Sequence, residues 1–147
     1  MKKILSLLLF GGVLFTPLFS KAQDCESIVK LCGSYLDGSI SSSKKNKFVS
    51  DGQVYTAFLD REKAEFKTTF FGGSTYRIAA SAGMDDDYVI FTVKDMEGNI
   101  LFSNKNYKNS PYWDFMVPST LPVLIETELD LDKKVTGCAV MLIGFKK

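Results

Sequence analysis

Three adjacent carboxylates, Asp85-Asp86-Asp87, form the densest acidic cluster in the chain. Loop carboxylates with backbone carbonyls beside them are what a hard cation such as calcium requires. The run lacks the spacing of a helix–loop–helix calcium loop, and a solvated turn accounts for it as simply. A second acidic pair, Glu126 and Glu128, alternates with Ile125 and Thr127, so both project from one strand face. Paired carboxylates that flank a cleft at about 5–10 Å can hydrolyse a glycosidic bond. Any two residues so spaced on a strand meet that distance, and a polar outer face is the simpler expectation. Tyr107 and Tyr112, with Asn104, Asn106 and Asn109 near them and Trp113 adjacent, are the residue types of a sugar platform. Alternation sets Trp113, Phe115 and Val117 on the core face and leaves Tyr112 outside with Asp114 and Met116. The candidate ligand contacts are therefore Tyr107, Tyr112, Asn106 and Asn109. Lys44, Lys45 and Lys47 follow three serines and can either meet an anionic polymer or simply solubilise a loop.

Histidine is absent from all 147 residues. That removes the commonest general base, the triads built on it and the usual ligand of catalytic zinc. Glycine-rich phosphate loops and serine-nucleophile motifs are missing too. The expectation is a protein without enzymatic activity and without a cofactor, calcium at the acidic run being the one candidate.

The N-terminus reads as an export leader. Lys2 and Lys3 supply the positive start, Ile4 to Leu18 is almost wholly apolar, and Ser20-Lys21-Ala22 has the small-x-small form of a cleavage site. Residues 1–22 are thus expected to be removed, leaving 23–147 as one domain in a secreted or periplasmic setting. The apolar run is about 15 residues, short of the roughly 20 that span a bilayer. No later segment is long enough to cross a membrane. Loss of Lys2, Lys3 and Lys21 takes the 18 basic residues to 15 against 17 acidic ones, a balance with no footprint for nucleic acid.

Three cysteines enter that oxidising setting: Cys25, Cys32 and Cys138. Cys25 and Cys32 are separated by about 10.5 Å of rise on a helix, beyond the roughly 7 Å that a disulfide bridges between Cα atoms. Cys138 is therefore expected to pair with Cys32 or with Cys25. Cys32 is slightly favoured because it lies mid-face, whereas Cys25 lies in a terminal turn that frays.

These residues need elements to position them. Asp24 to Asp37 reads as a short amphipathic helix, with Cys25, Ile28, Cys32 and Tyr35 on one face, Asp24 to cap it and Gly38 to end it. Ser39 to Asn46 is an aperiodic Ser/Lys loop. From Gln53 the period switches to two. Strands are expected at Val54–Leu59, 63–70, Thr75–Ser81, Tyr88–Asp95, Asn99–Asn104, Tyr112–Val117, Leu121–Leu129 and Cys138–Phe145. Gly72-Gly73 and Met96-Glu97-Gly98 read as hairpin turns. Ala139 to Ile143 is apolar on both faces and should be central, whereas Pro122 points to an edge or an irregular start. Eight short strands and one helix predict an all-β fold, an antiparallel sandwich of jelly-roll or Greek-key type.

Gly73-x-x-Tyr76-Arg77-Ile78, then Val89-x-Phe91-x-Val93-x-Asp95-x-x-Gly98-Asn99-x-Leu101-Phe102, then Gly137-Cys138-Ala139-Val140, resemble a group of small secreted bacterial β-sandwich proteins of uncharacterised function. The middle of the chain is also distantly similar to the pre-peptidase C-terminal domain class, which carries a Tyr-x-Ile and a later Asp-x-x-Gly turn. The resemblance implies a sandwich fold and an exported location, and it brings no catalytic residues. The functional expectation is a binding or interaction module whose partner is a protein or a glycan at the cell surface. A small carboxylate-dependent hydrolase and a structural envelope or matrix protein are the alternatives.

Overall fold

The period-two pattern is realised as eight strands: β1 (Val49–Asp60), β2 (Ala64–Phe70), β3 (Ser74–Ser81), β4 (Val89–Lys94), β5 (Ile100–Ser103), β6 (Tyr112–Val117), β7 (Leu121–Leu129) and β8 (Thr136–Lys146). Among the described residues one α-helix, α1 (Cys25–Asp37), precedes them. The structure is a computed structural model that describes residues 25–39, 48–83 and 88–146. The expected leader, the Lys44, Lys45 and Lys47 loop and Asp85-Asp86-Asp87 lie outside the described residues.

The strands form two antiparallel four-stranded sheets, ordered β1-β8-β3-β6 and β2-β7-β4-β5. That order is the jelly roll, two interleaved Greek keys closed into a sandwich. Each strand turns alternate residues into the space between sheets, where Ile78, Phe91, Val123, Ile125, Met141 and Ile143 are almost wholly buried. Burying an Ile or Phe contributes roughly 1.5–3 kcal/mol against leaving it in water, so this layer is the main source of cohesion.

The Met96-Glu97-Gly98 turn does join a hairpin, β4 to β5. The Gly72-Gly73 turn does not. β2 lies in the second sheet against β7, and β3 lies in the first between β8 and β6. Two glycines mark a sharp reversal, and Gly73 takes φ +82° there, but a reversal does not say which sheet receives the next strand. Here Gly73 N–H donates to Val117 O at 2.8 Å, prolonging the β3–β6 ladder, so the turn delivers the chain from the second sheet into the first. β1 starts earlier than expected, at Val49, because a bulge around Gly52 interrupts its register between Ser50 and Val54. Pro122 sits in an interior strand, yet β4 pairs with β7 only as far as Leu124, so Pro122 is flanked by β2 alone.

β8 is apolar on both faces because both are covered. Met141 and Ile143 face the sandwich interior, whereas Val140 and Leu142 meet α1 with Ala79. The helix lays Ile28, Cys32, Tyr35 and Leu36 on that outer face and ends at Gly38, which takes φ +73°. Gly144 allows the close approach. A Cβ there would come within 2.8 Å of Leu36 Cδ1 and 3.0 Å of Val49 O.

Two ties hold α1 to the sheet. Cys25 is bonded to Cys138, a pairing that corrects the preference for Cys32. The reason lies in direction: α1 runs alongside β8 so that its first residue meets Cys138 and Leu36 meets Gly144. Cys32 therefore lies over the sheet centre. Its thiol is fully buried and donates to Ala79 O at 3.2 Å, with Val140 O as a second acceptor 3.7 Å away. Burial pushes that thiol up to about 12.

Arg77 is the second tie. Its side chain is buried beneath the C-terminal turn of α1, where Nη1 donates to Tyr35 O at 2.9 Å. Nε and Nη2 donate to the two carboxylate oxygens of Asp114 at 2.7 and 2.9 Å. The guanidinium also lies over the rings of Phe48 and Tyr112, at 4.3 and 4.4 Å from their centroids. One cation thus joins α1, β3, β6 and the chain entering β1.

Two outcomes follow. Non-reducing peptide mapping should link Cys25 to Cys138, with Cys32 alkylated only after denaturation; a Cys32–Cys138 peptide would contradict the fold. Arg77→Met should lower unfolding free energy by about 1–3 kcal/mol in denaturant titration, because it leaves the buried Tyr35 carbonyl without its donor and removes the bidentate pair with Asp114, whose partly exposed carboxylate water can still solvate.

Candidate functional site

The shortest strand, β5, pairs with β4 at only three positions. β5 spans only Ile100–Ser103, so the edge it forms with β6 is sealed by rings rather than by backbone. Tyr107 packs on Trp113 at 4.3 Å and Phe102 packs on Trp113 at 4.9 Å and on Phe115 at 5.1 Å. Phe115 continues to Phe70 at 6.2 Å. Such offset and edge contacts each add about 0.5–1.5 kcal/mol beyond their buried area, which stiffens an edge that hydrogen bonds leave open.

The loop that carries Tyr107 is locked from within. Asn104 is fully buried in the 3-10 helix Asn104–Tyr107, where its Oδ1 accepts from Phe91 N at 2.8 Å. Its Nδ2 donates to Val89 O and Ser110 O. Asn109 adopts φ +52° and donates to Asp130 Oδ2 at 2.8 Å. Two of the three asparagines are therefore committed to holding the loop, and only Asn106 is exposed beside Tyr107. Tyr112 lies on the opposite face of β6, stacked on Tyr35 and under Arg77. The structure thus separates Tyr107 from Tyr112, and the four candidate contacts do not converge. Alternation does correctly place Trp113 toward the core and Tyr112 outside.

At the other end of the same edge the sheets part. A cleft of about 260 Å³ opens there, lined by Val93, Leu101, Phe115, Met116, Pro118 and Leu121. Its rim is apolar and open to water, with Met116 85% exposed and Leu101 50% exposed. Neither residue stands out in the sequence, because β5 reads as an ordinary hairpin strand and its shortness shows only once the sheet order is known.

Glu126 and Glu128 sit together on the outer face of the second sheet, as alternation requires. Lys63 bridges them, 2.7 Å from Glu126 and 3.2 Å from Glu128, and Lys94 lies 2.7 Å from the other oxygen of Glu126. The hydrogen bonds from Lys63 and then Lys94 hold the Glu126 carboxyl below its usual range. Glycoside hydrolysis needs one carboxyl that keeps its proton near neutrality. Glu126 is set the opposite way.

Among the described residues, no group of three or more His, Cys, Asp or Glu is placed to hold a metal ion. No helix among them is long and apolar enough to cross a membrane. The disulfide fits an oxidising compartment. No family model and no curated protein matches the chain.

The Lys63–Glu126–Lys94 cluster yields a pH prediction. A carboxyl depressed in the folded state contributes stability above the ordinary glutamate value of 4.5, lost as pH falls through its lower folded value. Glu126→Gln should therefore flatten the acid limb of the stability–pH curve. An unchanged acid limb would mean that the lysines do not stabilise the ionised form.

Proposed function

We propose that the chain is an exported, non-enzymatic interaction module that grips a partner protein at the β5–β6 edge. The observation that carries this is the apolar cleft beside Met116 and Leu101 on an edge stiffened by rings. Its volume of about 260 Å³ is below the range of about 300–1,000 Å³ that encloses a small-molecule ligand. It suits one anchoring side chain of a larger partner, and buried anchors in such pockets dominate protein–protein affinity. Large apolar side chains left exposed around a cleft mark interaction sites in soluble proteins.

Export is supported by the leader pattern of residues 1–22 and by the Cys25–Cys138 bond. Binding rather than catalysis is supported by the absence of histidine and by the ion pairs that consume Glu126 and Glu128. A glycan remains the second occupant, favoured by the half-exposed Tyr107 ring with Asn106 beside it. Its weakness is geometric, since Tyr112 faces away and Asn109 is used.

Affinity capture from an envelope fraction should retain a discrete protein, and Met116→Lys should reduce recovery at least about tenfold with unchanged thermal stability. A glycan array should be blank. Array binding abolished by Tyr107→Ala, with capture unaffected by Met116→Lys, would replace the protein partner with a sugar.

A further inference from the structure

The sheets also part at the opposite margin of the sandwich, where β1 bounds the first sheet and β2 the second. β1 is bulged there. It runs from Ser50 to Val54 while β8 runs only from Gly144 to Leu142, so the chain between them stands out from its ladder. Gly52 takes φ +87° in the bulge and its N–H donates to Ser50 Oγ at 3.0 Å. Gln53 N–H donates to Asp51 Oδ1 at 2.9 Å, so the side chain of Asp51 is held in place. Bulges commonly re-aim side chains beside functional sites. This one brings Asp51 and Gln53, both exposed, to the lining of a cleft of about 210 Å³.

Aromatic rings make up half of that lining, and Asp51 is its only charged residue. The neighbouring lysines turn away from it. Lys67 alternates with Phe66, which packs on the core, and Lys146 Nζ lies over the Phe48 ring at 5.1 Å on the helix side of the sheet. Asp51 Oδ2 lies 3.5 Å from Tyr55 Oη, the outer limit of a hydrogen bond, and so has room for a further partner. Burial first, and then the Asp51 charge, push the Tyr55 hydroxyl above its usual range, so this corner disfavours a second negative charge. Phe70 and Tyr76 are buried against each other at 4.6 Å and brace the wall. Tyr76 Oη accepts from Phe71 N at 2.9 Å, which fixes the backbone beside it. The rings within reach of a ligand are the half-buried Tyr55 and Phe145 and the 63% exposed Phe71.

We propose that the cleft binds an organic ammonium group, its charge met by the Asp51 carboxylate and its carbon substituents laid against Tyr55, Phe71 and Phe145. A carboxylate and the negative faces of rings, with no cation among the lining residues, are complementary to that one class of ligand. The cleft is smaller than the roughly 300–1,000 Å³ that encloses a drug-sized molecule. It takes a compact head group and leaves the rest of the ligand in water. The site lies at the margin opposite the β5–β6 edge and does not depend on what binds there.

Proton–nitrogen NMR titration of protein from an export-competent host tests it, at constant ionic strength. The probes are choline, the neutral alcohol in which carbon replaces the choline nitrogen, n-butylammonium and glucose. Choline should shift the Gln53, Thr68 and Phe71 amides saturably, with half-saturation at about 1 mM. The neutral alcohol should bind about tenfold more weakly, because it keeps the shape and loses the charge. Asp51→Asn retains an acceptor for Gln53 N–H and should weaken choline about fivefold with thermal stability unchanged. Tyr55→Leu should weaken it by a similar factor and keeps the test open if the first variant fails to fold. A response to choline alone assigns the site to quaternary groups, and an equal response to butylammonium extends it to primary ones. Equal binding of the neutral alcohol would overturn the proposal, as would choline binding unmoved by either variant. So would glucose shifting these amides in place of choline, or no saturable shift by about 50 mM choline.

Discussion

Arg77 is a buried cation at the junction of four chain segments, and the arrangement of α1 on the sandwich depends on it. A guanidinium taken out of water is costly unless its donors and its charge are both matched. Here the match is a bidentate carboxylate from β6, a carbonyl from the last turn of α1, and two aromatic faces. None of these partners comes from β3 itself. The cost of burial is offset only when helix, sheet and the entry to β1 are all in place, so this contact selects one docking of α1. The disulfide fixes the other end of the helix. Between the two, Ile28, Cys32 and Leu36 cover the outer face of β8 and β3.

This division of labour leaves the rest of the molecule free to differ at its margins. The first sheet is covered outside by α1. The second carries a lysine–glutamate lattice on its outer face, which keeps that face wet and holds the Glu126 carboxyl below its usual range. What neither device covers is the β5–β6 edge. Rings fill it for most of its length, and the cleft by Met116 is where that filling stops.

Much of the architecture was legible in the sequence because alternation is a local property. β6 and β7 fall where the pattern puts them, the helix ends at its glycine, and Ala139 to Ile143 is central because it is apolar on both faces. Apart from the bulge around Gly52 that lets β1 begin at Val49, the misses are non-local. A Gly-Gly turn is the same whether it returns a strand to its own sheet or sends it across. Cys25 and Cys32 share a helix face, and only the direction of α1 along β8 decides between them. Arg77 and Asp114 are 37 residues apart and meet through the β3–β6 register. The candidate site suffered most, since Tyr107 and Tyr112 are close in sequence but lie on opposite faces of β6.

The central claim is that a rigid sandwich presents the β5–β6 edge to a partner. A photo-crosslinking amino acid placed at Met116 in protein made in an export-competent host tests it most directly, with the same group at Lys30 on the solvent side of α1 for comparison. The account predicts a discrete protein adduct from position 116 and none from position 30. Adducts from position 30 alone, or from neither position under conditions where the protein is exported and folded, would contradict it.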